Sequence, residues 1–559
     1  MNPGAIINRH QRLLFYTCWL LLNLIQSKVT GLFDDESYYW VYSRFLDWGY
    51  FDHPPMIALL IKGGYGIVPN EFGVRLFVAI LSTFTLWLIQ KLLIITDDVL
   101  FYTIAISIAV LQLGGFIAVP DIPLLFFTTL FFHAYKRFLN KESVKNSMLL
   151  GISAACLLYS KYTGALVLVF AFAANPKLFL RPVLYIAAGV AVLLFLPHIY
   201  WQYIHAFPSV QYHLKERIDS SYQFSFTTDY LFQQLLLVGP ISSIVLLWSC
   251  FRKKPSDEIE RALKFTTVGF YVFFLLYTFR GPVEANWTFP AFIGVIALSH
   301  QYLAERRHLR KLVNVLALIT LSIVFAGRLY LAGALPHIDL KDDEFLSNNE
   351  WSREVSANAK GLPVFFVGSY QRASKYWFYT GIPTYSVNTV DYRRNGFNFW
   401  SMEDSLQNKK MFAVYQGPHT DVFPDSFSTS KGDFRSRIIE NYFSFSRILF
   451  INEGKLEGVT HQPMEFQLKC EEDSNSFIRI HPQFDTACIW MAIYRKDVDE
   501  PTILRTSLSI KNITANNQVL RGSVPLDMPP GEYTARFGIT SCIPNWPTIN
   551  SSVIDLRIK

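Results

Sequence analysis

Three acids stand side by side at Asp34, Asp35 and Glu36, and a second polar group, Asp52 with His53, follows in the same stretch between two apolar blocks. Neighbouring carboxylates repel and lose hydration at the mouth of a span, a cost that a functional site has more reason to accept than a structural loop. An acidic run can equally be a solvated loop. Tyr38, Tyr39, Trp40, Trp48 and Tyr50 crowd both sides of this one, however, and offer faces for a sugar or for the membrane interface. Asp52 and His53 carry donors that suit a hard cation or zinc, with ordinary structural hydrogen bonding as the other reading.

Further polar residues stand alone at the edges of apolar blocks: Asp121 after Pro120, Lys161 after Ser160, and Glu284 with Asn286 ahead of Trp287. A lysine at a break between membrane spans is costly unless it meets an anion or snorkels to the headgroups. Lys161 is therefore a candidate for binding an anion. Lys215 and Arg217, in the segment 201–229, and His53 are second candidates, with Arg suited to bidentate contact with an anion. Glu284 could instead pair with Arg280, and Trp287 could be an interfacial anchor.

The elements that hold these residues are set by hydropathy. Of 559 residues, 51% are hydrophobic and 17% charged, which is unusual for a soluble protein. Apolar blocks fall near 13–30, 75–95, 99–119, 122–138, 147–160, 163–175, 182–200, 230–251, 265–279, 287–303 and 312–332, which predicts about eleven spans. Basic clusters at Arg9 and Arg12, Lys136 to Lys145, Lys177 and Arg181, Arg252 to Lys254, and Arg306 to Lys311 then share one side, the cytoplasm. The acids face outward, as do Lys161 and Glu284. The stretch 147–175 could form one tilted helix, but a break at Lys161 keeps both the charge pattern and a solvated lysine.

The apolar blocks end near residue 336, so 1–336 is read as the membrane domain, with its first outward loop at 31–74. Strand and helix patterns at Pro363 to Val367, Ala373 to Tyr379 and Met411 to Tyr415 predict an extracytoplasmic α/β domain over 337–455. Alternating runs at Ser507 to Ile510 and Tyr533 to Phe537 predict a β-sandwich over 456–559. The N-terminal apolar run lacks a small-residue cleavage site and is read as an uncleaved span. Cys470, Cys488 and Cys542 lie in the soluble region, where three thiols allow at most one internal disulfide. The net charge of +7 sits in loop clusters, with no basic stripe or stacking platform for nucleic acid.

The pairing of Asp35-Glu36, Tyr39 and Ser43 with Gly49-Tyr50-Phe51-Asp52-His53-Pro54-Pro55 resembles the GT-C superfamily of integral membrane glycosyltransferases. It is most similar to the protein O-mannosyltransferases and the aminoarabinose transferases of lipid A. Pro120 to Leu124, Ser160 to Thr163, Pro197 to Ser209 and Glu284 to Trp287 extend the likeness in order along the membrane half, and Tyr370 to Tyr379 resembles outer domains of bacterial members.

The resemblance implies a bacterial inner-membrane enzyme that moves a hexosyl or pentosyl unit from a polyprenyl-phosphate donor to a lipid, glycan or protein outside the cytoplasm. It implies Asp35 as catalytic base, with Glu36 and Asp121 in the same machinery. Asp34, Tyr39, Glu284 and Asn286 would contact substrates, while Lys161, His53, Lys215 and Arg217 would meet the donor phosphate. A divalent ion at Asp52 and His53 is the one cofactor to consider, although related lipid A transferases carry Glu-Lys at those places. A transporter or flippase would place polar residues and broken helices near the midplane in repeated halves, and no repeat is evident. A non-catalytic glycan-binding envelope protein would leave the acidic loop unexplained. Oligosaccharyltransferases are set apart by a Trp-Trp-Asp motif absent here.

Overall fold

The computed structural model describes residues 3–216, 222–335, 343–452, 454–471, 487–495 and 500–559, which divide into two compact units. The first, residues 1–207 and 221–346, is helical. Its helices are α1 (Pro3–Val29), α2 (Asp34–Arg44), α3 (Met56–Ile67), α4 (Glu71–Leu92), α5 (Asp98–Ser107), α6 (Ala109–Gly114), α7 (Asp121–Asn140), α8 (Val144–Ser160), α9 (Gly164–Ala173) and α10 (Pro182–Ile204). After α11 (Pro208–Gln211), which belongs to the second unit, come α12 (Phe224–Val238), α13 (Ser243–Arg252), α14 (Glu258–Tyr277), α15 (Ala291–Ala304) and α16 (Arg307–Leu331). Local chemistry sets several starts: Asn70, Asp97, Ser143 and Asp257 each accept a backbone N–H from the first turn of the helix they cap.

Every apolar block of the sequence folds as helix, but not every block as one long span. Among the described residues α4, α10 and α16 are each long and apolar enough to cross a membrane, and α12 with α13 makes a fourth only as a pair bent by 94°. Among the described residues the predicted count of about eleven is therefore not reached by helix length and composition. The block 99–119 breaks into α5 and α6 at Ile108, and 147–175 breaks at Lys161, whose backbone is extended. Deep in the bundle Arg328 donates to Asn23 Oδ1 at 2.8 Å and to the Gln112 carbonyl, while Gln26 donates to the Arg328 carbonyl at 3.1 Å. Polar side chains thereby tie α1, α6 and α16 where lipid tails could offer no partner.

The second unit holds α11, α17 (Asn348–Ala359), α18 (Tyr370–Thr380) and the strands. A five-stranded sheet runs in the order β2 (Tyr385–Val387), β1 (Val364–Val367), β3 (Met411–Tyr415), β5 (Gly432–Ile439), β4 (Asp425–Thr429). β1 pairs in parallel with both neighbours, and the outer pairs are antiparallel. All four β1 residues are buried, as expected for a strand covered on both faces.

Two further sheets follow. One runs β10 (Thr502–Ser509), β9 (Cys488–Tyr494), β12 (Gly531–Ile539), β14 (Ile554–Ile558), β7 (Leu456–Gly458), with β13 (Thr548–Ile549) beside β12. The other runs β11 (Gln518–Leu526), β8 (Gln462–Glu471), β6 (Leu449–Ile451). Alternating inward residues of both sheets, among them Phe466, Leu468, Met491, Leu520 and Phe537, form one core. β6 lies ahead of residue 456 and pairs with β8, so this sheet pair starts by residue 449. Burial pushes the Cys542 thiol up to about 12.

Candidate active site

The three acids fill the first turn of α2, where the positive end of the helix dipole favours them. They do not share one fate. Glu36 is fully buried and takes four N–H donors: Arg75 Nε at 2.7 Å, Arg75 Nη2 at 2.5 Å, the Ala118 amide at 2.6 Å and the Phe33 amide at 2.9 Å. Arg75, also fully buried near the start of α4, donates in addition to the carbonyls of Thr30 at 2.6 Å and Gly31 at 2.7 Å. A carboxylate so enclosed has neither room nor a lone pair for a substrate. Glu36, expected among the catalytic acids, is thus a positioning residue, and its bond to Ala118 ties the start of α2 to the turn that leads into Asp121.

Asp34 and Asp35 remain half-exposed. The Asp34 amide donates to Glu344 Oε2 at 3.1 Å, and Phe33 stacks on Phe345 at 5.6 Å. A fourth acid from beyond the last apolar block thereby joins the group. Neither Arg75 nor Glu344 was singled out in the sequence. Arg75 had a readable signal, a lone arginine at the mouth of an apolar block, which needs a partner in a membrane; Glu344 had none.

Asp121 opens α7 and is 1% exposed. Lys161 Nζ donates to its Oδ1 at 2.7 Å, and Asn286 Nδ2 to its Oδ2 at 2.8 Å. Three residues expected on separate grounds therefore meet. Lys161 does not snorkel: its side chain is 9% exposed, and the anion that holds it is Asp121. One N–H of the ammonium goes to this bond, and the extended backbone at Lys161 between α8 and α9 sets its direction. Glu284 is exposed and precedes the short 3-10 turn Ala285–Thr288 that carries Asn286. Trp287 packs edge-on against Tyr277 at 5.6 Å.

The loop after α2 is built on aromatic rings. Tyr42 stacks on Tyr50 at 3.9 Å, Tyr39 meets His53 edge-on at 5.5 Å, and the Tyr42 hydroxyl donates to Asp52 Oδ1. Burial and the Asp52 charge push the Tyr42 phenol well up, so it stays a donor. Tyr39, expected as a substrate face, is 5% exposed and packs mainly inward.

The loop is pinned to the end of α10. Trp201 Nε1 donates to Asp47 Oδ2 at 2.8 Å, His198 Nδ1 lies 2.7 Å from the Trp48 carbonyl, and a Cβ on Gly49 would come within 2.5 Å of the Trp201 ring. His198 Nε2 and Gln202 in turn contact the Tyr162 hydroxyl at 3.2 and 2.9 Å, next to Lys161.

The donor set at Asp52 and His53 does not fit a divalent ion. Among the described residues no three His, Cys, Asp or Glu side chains converge on one point, and one Asp52 oxygen already takes the Tyr42 hydroxyl. Arg217 and the Lys215 side chain lie outside the described residues.

The helical unit thus presents an acid-bearing loop at one end, locked by the Arg75–Glu36 pair. Residues 52–201 match the family described as dolichyl-phosphate-mannose-protein mannosyltransferase. The chain is 25% identical over 367 residues to the lipid A galacturonosyltransferase RgtD of Rhizobium johnstonii, covering 62% of this chain and 76% of that relative. Its fold is similar to that of ArnT from Cupriavidus metallidurans bound to undecaprenyl phosphate, at TM-score 0.58 and 12% identity over 78% of this chain and 98% of that one. The apo form of the same protein gives TM-score 0.57, over 77% and 98%. The chain is thus similar to integral membrane glycosyltransferases in sequence over these segments and in fold.

Proposed function

We propose that this protein transfers a sugar from a polyprenyl-phosphate donor to an acceptor on the extracytoplasmic side of a bacterial inner membrane, with inversion at the anomeric carbon. The observation that carries this reading is the division of labour in the first turn of α2. Glu36 is neutralised by Arg75, and Asp35 is left half-exposed beside it. In the motif register Asp35 is the base.

It takes the proton of an acceptor O–H or N–H as that atom bonds to the anomeric carbon. The bond from that carbon to the phosphate oxygen breaks, and the electron pair leaves with the polyprenyl phosphate. Lys161, oriented by Asp121, supplies positive charge to the departing phosphate. Asp34, Glu284 and Asn286 are assigned to substrate contact and His53 to the phosphate side, and the soluble unit to the extracytoplasmic face.

The undecaprenyl phosphate in the structurally similar ArnT and the lipid A named for RgtD support a lipid-linked donor and a lipid acceptor class. Mass spectrometry of envelope lipids and glycoproteins from cells with and without the gene identifies sugar and acceptor. Single-turnover transfer by the purified Asp35→Asn protein then tests the mechanism. Turnover should fall by about two to four orders of magnitude with donor binding intact, against about tenfold or less for Asp34→Asn. Near wild-type transfer by Asp35→Asn would remove it as the base.

A further inference from the structure

A cavity of about 300 Å³ opens at the other end of α2 from the acids, lined by Ser43 and Arg44 of α2 and by Lys62, Tyr65 and Gly66 of α3. Two of its five lining residues are cations, both exposed, and neither takes part in an ion pair with a carboxylate among the described residues. Their setting is fixed. The Arg44 guanidinium lies 5.8 Å from the Trp40 ring centroid, and Tyr65 packs edge-on against the same ring at 5.6 Å. Ser43 is buried, with its hydroxyl donating to the Trp40 carbonyl at 2.6 Å, and a Cβ on Gly66 would meet nothing within 4 Å, so that wall stays open. A concave site with two unneutralised cations calls for an anion, and a guanidinium beside an ammonium suits phosphate.

The outward face of α3 says where that anion comes from. Leu59, Lys62, Gly63, Gly66 and Ile67 recur at i, i+3, i+4, i+7 and i+8 and are all exposed, Leu59 by 57% and Ile67 by 64%. Leu46 and Trp48, on the loop after α2, are also exposed. An apolar stripe with a lysine in it fits a helix lying in the membrane interface, its ammonium at the level of lipid headgroups. Arg44 stands nine residues from Asp35 on one helix, about 14 Å along its axis. The donor phosphate is bonded to the carbon under attack, which must come to about 3–3.5 Å from the attacking atom. A phosphate in the pocket is too far away to be that one.

We propose that the Arg44 and Lys62 pocket binds the phosphate of an anionic membrane lipid, as a second phosphate site separate from the one that meets the donor. The separation rests on Asp35 as base, whereas the binding does not, so the test reads binding alone. Native mass spectrometry of the full chain in detergent counts retained lipid at graded phosphatidylglycerol, phosphatidylcholine or inorganic phosphate. The wild type should hold one more phosphatidylglycerol than Arg44→Ala/Lys62→Ala, whose apparent affinity for that lipid drops about tenfold. Phosphatidylcholine should not distinguish them. Arg44→Lys/Lys62→Arg, which keeps both charges, should retain the lipid, and Lys141→Ala/Lys145→Ala, which loses as many charges elsewhere, should behave as wild type. Equal phosphatidylglycerol retention by the wild type and the alanine pair overturns the proposal. So does retention of phosphatidylcholine as strong as that of phosphatidylglycerol, or a pocket-dependent shift with inorganic phosphate alone.

Discussion

Chemistry in this chain is divided among residues that look alike in sequence. Asp34, Asp35 and Glu36 are three adjacent acids, yet Glu36 is sealed against Arg75 while the other two stay partly exposed. Arg75→Leu should therefore destabilise the protein by about 3–5 kcal/mol, because it strands a buried carboxylate. Glu36→Gln should cost less, since Arg75 keeps the Thr30 and Gly31 carbonyls and the one amide oxygen still accepts from either the Ala118 or the Phe33 amide; unfolding in detergent measures both. Glu403, in the second unit, is fully buried and accepts hydrogen bonds from Tyr442 at 3.2 Å and Ser446 at 3.1 Å. Burial raises its pKa in the folded state. A raised folded pKa means that stability is fully present below the unfolded value and is lost as pH rises through the folded one. Glu403→Gln should thus raise the thermal stability of the full chain at pH 7.5, by about 1–3 kcal/mol, with the gain vanishing near pH 4. A gain that grows toward acid pH would show the sign to be wrong.

At the scale of elements, helix positions were legible because apolar periodicity and caps are local, while helix contacts were not. The break at Lys161 could be read from charge placement, but the Asp121 partner could not, since 40 residues separate the two. The strands at 364–367 and 411–415 were visible as short apolar runs, whereas the pairing of β6 with β8 ahead of residue 456 depends on register. Gly49 is a case where an element fixes a residue. Trp201, held by Asp47 and stacked on His205 at 4.3 Å, leaves no room for a Cβ. Gly49→Ala should displace the loop from the end of α10, cost about 1–3 kcal/mol in stability and raise KM for the donor more than it lowers kcat. Thermal unfolding and steady-state transfer check both parts.

For the whole molecule, the alternation of basic loops predicts an N-terminus in the cytoplasm and a C-terminus outside. An alkaline phosphatase fusion after residue 340 should be active and one after residue 140 inactive; the reverse pattern would put the acidic loop on the cytoplasmic face. Fold class was readable from the first 336 residues because a bilayer allows so few backbone solutions. The identity of sugar and acceptor was not, because one fold serves many substrates.

The two ends of α2 differ in their access to mobile ions. The Glu36 and Arg75 pair is completely enclosed, so counterions cannot reach it and ionic strength leaves its attraction nearly unchanged. Arg44 and Lys62 stand in the open, where a Debye length of about 8 Å at physiological salt damps any attraction they exert. Added salt therefore weakens what one end of an eleven-residue helix can attract and spares the ion pair at the other. Loss of activity on raising salt, with the unfolding temperature unmoved, would report on charges that meet the membrane and not on the frame that holds Asp35.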